Sequence, residues 1–215
     1  SPELIRKSSD SLAGRIGYLE LTPFLLEEVN HSMLNTLWLR GGFPLSFLAK
    51  TDRASMVWRE NFIRTYLERD LAMLGLTADY KLLQRFLTMI SNAQGGIWNA
   101  ESFARALGIT RPTVNKYLHF LEGAFLLRVL QPYYTNIKKR LVKAPKVYIR
   151  DTGLLHSLLQ IKNEEDLQGQ LAVGPSWESF VIEQIISRLG NQYQYYFYRT
   201  HQGAECDLLL VKNEK

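Results

Sequence analysis

The sequence predicts an α+β fold, mainly helical, in which a helical region and a winged helix-turn-helix precede the start of an α/β domain. Three observations carry that prediction. Apolar residues recur at three- and four-residue spacings between Val57 and Ile90. Two capped helical stretches flank Gly108 and lead into strand-like runs. A long apolar-striped stretch after residue 175 precedes two further strand-like runs. Hydrophobic residues are 46% and charged residues 22% of the 215 positions, a balance that excludes a disordered or collagen-like chain.

Residues 1–30 hold a short helix-like piece, a strand-like run at 16–21 and a break at Pro23, with too little apolar surface to close a core alone. Residues 31–96 read as the helical region. Val57, Trp58, Phe62, Ile63, Tyr66, Leu67, Leu71 and Leu74 form one stripe, which Gly75 ends. Asp79 starts a second helix carrying Leu82, Leu83, Phe86, Leu87 and Ile90, closed by Gly95 and Gly96.

Residues 97–150 have the winged-helix pattern. Asn99 caps a helix over 100–107, whose Phe103, Ala104 and Leu107 face inward. After the turn at Gly108 and Ile109, Thr110 caps a second helix with Pro112 in its first turn, where a missing N–H is harmless. Val114, Tyr117, Leu118 and Leu121 are its buried stripe. Arg111, Thr113, Asn115, Lys116 and His119 are its exposed positions, suited to phosphates and base edges. Strand-like runs at 125–130 and 146–150 flank the basic connection NIKKRLVKAP and form the wing.

Residues 151–215 read as the start of the α/β domain. A helix over 176–189 carries Trp177, Phe180, Val181, Gln184, Ile185 and Leu189 as its stripe, with Glu178 and Glu183 polar. YQYYFYR at 193–199 and AECDLLLV at 204–211 are paired strands. Glu205 and Asp207 share one strand face, with Cys206 opposite. With Glu178 on the helix they offer three carboxylates to a Mg²⁺ ion. The alternative is a solvated strand face and a helix carboxylate favoured by the helix dipole.

Charge is unevenly spread. Residues 101–150 hold ten basic residues (Arg105, Arg111, Lys116, Arg128, Lys138, Lys139, Arg140, Lys143, Lys146 and Arg150) against Glu101 and Glu122, whereas 151–215 hold five basic against nine acidic. The basic quarter is a candidate polyanion site. No run of about 18 apolar residues exists, so no membrane span is expected. The opening SPELIRKSSD lacks a signal-peptide core. The single cysteine, Cys206, excludes an internal disulfide or cysteine-rich zinc site and points to a reducing cytoplasm.

Several stretches together resemble a group of bacterial and archaeal AAA-type ATPases that carry a C-terminal domain of unknown function, number 4143. They are SSDSLAGRIGYLELTPF at 8–24, GGFPL at 41–45, FIRTYLERDL at 62–71, ALGITRPTVNKYLHFLE at 106–122, LQPYYTNIKKRLVKAPKVYIRDTGLL at 130–155, GPSWESFVIEQI at 174–185 and YYFYRTHQGAECDLLL at 195–210. The resemblance implies a P-loop ATPase module N-terminal to this chain, of which residues 1–30 are the tail. No G-x-x-x-x-G-K-[ST] occurs here, so ATP and Mg²⁺ would be cofactors of the longer parent and none is expected in this fragment. Arg15 matches a position the family fills with arginine, an arginine finger or sensor, with a plain ion pair as the alternative.

The resemblance also implies a restriction-endonuclease-like last domain of the PD-(D/E)xK type. Glu178 matches its helix glutamate, Asp207 its strand aspartate, and Glu205 the family's Glu-x-Asp pattern; the Glu-x-Lys strand is absent. Two functions of different class follow. In the first, a non-catalytic region binds DNA, with Arg111, Asn115 and Lys116 at the groove and Lys138, Lys139, Arg140 and Lys143 on phosphates. In the second, the full-length protein is a metal-dependent nuclease using Glu178 and Asp207. A protein-interaction module, with the ATPase module or another protein as partner, is the third.

Overall fold

A computed structural model of the chain describes residues 20–76, 78–133, 144–200 and 203–212. Arg15, Lys138, Lys139, Arg140 and Lys143 lie outside the described residues. The fold is α+β and mainly helical. Short 3-10 turns at Leu26–Glu28 and His31–Met33 lead into α1 (Leu34–Arg40), α2 (Pro44–Phe47) and α3 (Asp52–Thr65). A π-helical turn, Tyr66–Asp70, joins α3 to the short α4 (Leu71–Met73), and α5 (Tyr80–Asn92) follows. Next come α6 (Ala100–Leu107), α7 (Arg111–Gly123), β1 (Leu127–Pro132), β2 (Lys146–Ile149), α8 (Thr152–Leu158), α9 (Glu164–Gln168), α10 (Val173–Leu189), β3 (Tyr193–Arg199) and β4 (Glu205–Lys212).

The helix starts follow local chemistry. Asp79, Asn99 and Thr110 each accept a backbone N–H two or three positions into the following helix, from Leu82, Ser102 and Thr113 respectively. Thr51, Asp151 and Asn163 do the same for α3, α8 and α9.

The four strands form one mixed sheet in the order β2-β1-β3-β4. β1 and β2 pair antiparallel, with Leu127 opposite Ile149 and Leu130 opposite Lys146. β3 and β4 pair antiparallel, from Tyr193 opposite Lys212 to Arg199 opposite Glu205. A short parallel pairing, Gln131 with Tyr196 and Pro132 with Phe197, joins the two hairpins. The strands expected for the wing and for the α/β domain therefore share one sheet. Periodicity marks a strand but not its partner, so the junction was invisible in the sequence. The outer edge of β2 is covered by residues 94–98: Gly95 and Trp98 donate backbone N–H to Val147 and Pro145, and the Gln94 amide closes a pair of bonds with Ile149.

Three apolar clusters hold these elements. The largest packs α5, α6, α7 and α8 with β1 and β2 around Phe86, Leu118, Leu121 and Leu155. A second gathers α1, α2, α9 and α10 around Leu37, Phe47 and Leu167. The third lies on the sheet, where Ile182 and Ile186 of α10 meet Leu130, Tyr148 and Phe197. α10 thus serves two clusters, and its buried positions are Ser176, Ser179, Phe180, Ile182, Glu183 and Ile186. The stripe expected from Trp177 to Leu189 is rotated: Trp177 stays 40% exposed and Glu183 goes inside.

The buried C-terminus of α1 leaves carbonyls that need donors. Thr152 donates to Trp38 O, Arg59 and the His156 ring to Leu39 O, and Ser46 to Arg40 O. Arg59 also donates to Gly153 O and is wholly buried, its cation facing a helix C-terminus where the dipole favours it. Burial pushes its pKa down to about 10, so it stays charged at neutral pH.

His156 Nδ1 can only donate to a carbonyl, which leaves Nε2 to accept from Ser176 Oγ at 2.7 Å. Ser176 Oγ in turn accepts from Trp38 Nε1 at 2.9 Å. This ring is neutral, because burial lowers its pKa from 6.5 to about 4 despite the Leu39 bond. The unfolded chain takes up the proton first as pH falls. The stabilisation is therefore complete above pH 6.5 and disappears between 6.5 and 4, a loss of about 3 kcal/mol. In urea unfolding across that window, His156→Gln is expected to show a shallower pH slope than wild type; equal slopes would mean that His156 is charged in the fold.

Candidate functional site

The α6–α7 pair meets at Gly108, whose φ of 69° closes a tight left-handed turn. Val114, Tyr117, Leu118 and Leu121 of α7 are buried, which fixes its opposite face outward. Arg111 and Lys116 are exposed and form no ion pair with any described residue. Arg105 of α6 is exposed as well. Asn115 is half-buried, and its Oδ1 accepts from Trp98 Nε1 at 3.2 Å. His119 is turned toward Glu122 at 3.5 Å, so it is tied to its own helix.

The three predicted carboxylates converge. They do so around a lysine that sequence reading did not single out. Lys146 Nζ lies 2.6 Å from Glu205, 2.8 Å from Asp207 and 3.2 Å from Glu178, and its side chain is 5% exposed. Its ammonium also sits 5.6 Å from the centre of the Phe197 ring. Burial disfavours the charge, but hydrogen bonds to Asp207 and Glu205, with the field of Glu178, hold the lysine pKa above its usual value. Tyr148 donates to Glu178 at 2.6 Å, and burial together with that bond pushes the phenol pKa well up. Arg199 stands 3.8 Å from Glu205 on the open side. Among the described residues no group of three His, Cys, Asp or Glu is arranged to hold a metal ion. Where a cation would sit among these carboxylates, the lysine ammonium sits.

A second ionic cluster lies beside the first. Glu183 takes a two-pronged contact from Arg128, at 2.6 and 2.9 Å, and a third bond from Arg150 at 2.9 Å. Arg150 reaches on to Glu20 at 2.7 Å. These pairs revise the meaning of the basic quarter. Of its ten cations, Arg128, Lys146 and Arg150 are consumed internally, four lie outside the described residues, and Arg105, Arg111 and Lys116 remain on the surface. The excess of acid in 151–215 was the available signal: Glu178, Glu183, Glu205 and Asp207 are the partners.

Residues 31–165, well over half of the chain, match the family described as Domain of unknown function (DUF8612). The chain belongs to that family. Residues 173–215 match a second description, Domain of unknown function (DUF4143). In this DUF8612 member both ionic clusters cross between the two matched stretches, with Arg128, Lys146 and Arg150 on one side and Glu178, Glu183, Glu205 and Asp207 on the other. Two curated relatives are Uncharacterized protein Mb2031c of Mycobacterium bovis and Uncharacterized protein Rv2008c of Mycobacterium tuberculosis. Each is 42% identical over 210 residues, which cover 98% of this chain and 47% of the relative. The chain thus spans about half the length of the curated relatives it matches. No solved structure matches it. No helix among the described residues is long and apolar enough to cross a membrane.

Proposed function

We propose that this chain is the DNA-contacting accessory region of a cytoplasmic AAA-type ATPase and has no catalysis of its own. The match to DUF4143, a domain typically found with AAA-type ATPases, supports the parent class. ATP and Mg²⁺ would be handled by the ATPase module of the longer protein, which is also the natural protein partner of this region. The carrying observation is the outward face of α7, where Arg111 and Lys116 stand free of carboxylates at the start of a helix set by a tight turn. With β1 and β2 behind it, the α6–α7 pair works as a winged helix: α7 enters the major groove, and Lys138, Lys139, Arg140 and Lys143 add phosphate contacts from the wing.

The experiment is fluorescence anisotropy of the chain with a random labelled duplex at several salt concentrations. Wild type is expected to bind with a steep salt dependence. Arg111→Ala combined with Lys116→Ala is expected to weaken binding about equally for every sequence and to lower the salt slope by about two, one for each phosphate contact. No binding at low salt would overturn the reading and favour a protein-docking module.

A metal-dependent nuclease in the longer protein is the second reading. It is favoured by one observation: Lys146 supplies, from β2, the lysine that the sequence lacks near Glu178 and Asp207. Cleavage of the same duplex with Mg²⁺, lost in Asp207→Ala, would establish it. The ammonium that already stands among the three carboxylates argues for a structural joint instead.

A further inference from the structure

The Asn115 amide has its direction fixed by its neighbour. An indole N–H is a donor only, so the Trp98 contact at 3.2 Å requires the Asn115 oxygen to face the ring. Trp98 is itself immobilised: its backbone N–H donates to Pro145 O, and its ring packs at 4.6 Å from Phe103 and 6.1 Å from Phe86. The amide nitrogen of Asn115 therefore points away from Trp98 with two N–H donors to spend. Asn115 lies four residues after Arg111, on the same side of α7 as the free guanidinium.

An asparagine that recognises adenine uses both ends of its amide, accepting from N6 and donating to N7. Here Trp98 takes one lone pair of the oxygen and turns the nitrogen outward, so the donating end is the one presented. We propose that Trp98 is a positioning residue that makes Asn115 a directional donor, so that α7 prefers the guanine edge, where two adjacent acceptors, O6 and N7, can take its two N–H donors. This rests on the DNA-binding reading above and deepens it from backbone contact to base discrimination.

The test compares two labelled duplexes of equal length, one G·C-rich and one made only of A·T pairs, against wild type, Trp98→Phe and Asn115→Ala, with thermal unfolding of each variant alongside. Wild type is expected to favour the G·C-rich duplex about tenfold. Trp98→Phe keeps a ring but removes the N–H, and should cut that ratio to near unity while overall affinity for random DNA stays within about twofold. Asn115→Ala, at a half-buried side chain, should also bring the ratio to near unity, and as a groove residue it is expected to lower overall affinity as well. It keeps the test open if Trp98→Phe fails to fold. Wild-type binding with a ratio unchanged in Asn115→Ala would overturn the inference and leave the DNA-binding reading standing. Absence of any wild-type binding would overturn both.

Discussion

Lys146→Met is expected to lower the unfolding free energy by about 3 kcal/mol, measured by urea denaturation at neutral pH and low salt. The variant keeps the length and most of the apolar stem, so the packing against Phe197 survives. What disappears is the ammonium within 3.2 Å of three carboxylates. Glu178, Glu205 and Asp207 then face one another with only the Tyr148 hydroxyl on Glu178 and Arg199 at 3.8 Å from Glu205 to offset their repulsion. Asp207 is 51% exposed, so water relieves part of the repulsion and the cost stays at the lower end of the range for a broken buried pair. Asp207→Asn should cost only about 1 kcal/mol, since two carboxylates remain on the ammonium. The order of these two effects is the discriminating result. A Lys146→Met variant as stable as wild type would mean that the carboxylates are solvated and that β2 is not held to β4 by charge. Added Mg²⁺ separates the readings further. A structural joint gains nothing from the ion in wild type, whereas a metal centre would be stabilised by it.

The helix pair at Gly108 was legible because its determinants are local: a cap, a stripe and a turn within 25 residues of chain each announce themselves. The convergence of Glu178, Glu205 and Asp207 was legible in part, because strand alternation puts the last two on one face. Lys146 was not. It stands 32 positions from Glu178 and 61 from Asp207, and tertiary packing brings them together: α10 on the sheet for Glu178, the parallel pairing of β1 with β3 for Asp207. Arg59 was hidden for a different reason. It stands among the many polar residues of α3, and only the buried carbonyls of α1 and α8 make it a core side chain. The charge asymmetry along the sequence was genuine, and part of it encodes intramolecular pairing: Arg128, Lys146 and Arg150 meet carboxylates from later in the chain. An excess of one sign facing an excess of the other later in the chain is as much a packing signal as a binding signal.

Gly153→Ala should be strongly damaging, with a loss of about 4 kcal/mol or more and failure to fold at 37 °C as its practical form. The second residue of α8 lies directly against the end of α1. A Cβ there would stand 2.1 Å from Arg40 O, 2.4 Å from its carbonyl carbon and 2.7 Å from Gly41 N. All three are backbone atoms, so no rotamer change relieves the clash, and α8 would have to withdraw. Withdrawal is costly because the same junction carries the α1 carbonyl bonds from Thr152, His156 and Arg59, and the Asp151 carboxylate that accepts from Gly42 N and Leu154 N. Asp151 and Arg59 are both buried, so opening the junction without unfolding would expose or strand two charges. Gly123→Ala supplies the contrast. It is the exposed last residue of α7 with nothing within 4 Å of its added methyl, and should stabilise by about 0.5 kcal/mol through helix propensity. Comparable melting temperatures for the two variants would mean that α1 and α8 do not meet as closely as the junction requires. Opposite shifts would place the tightest contact of the fold where the buried ends of these two helices touch.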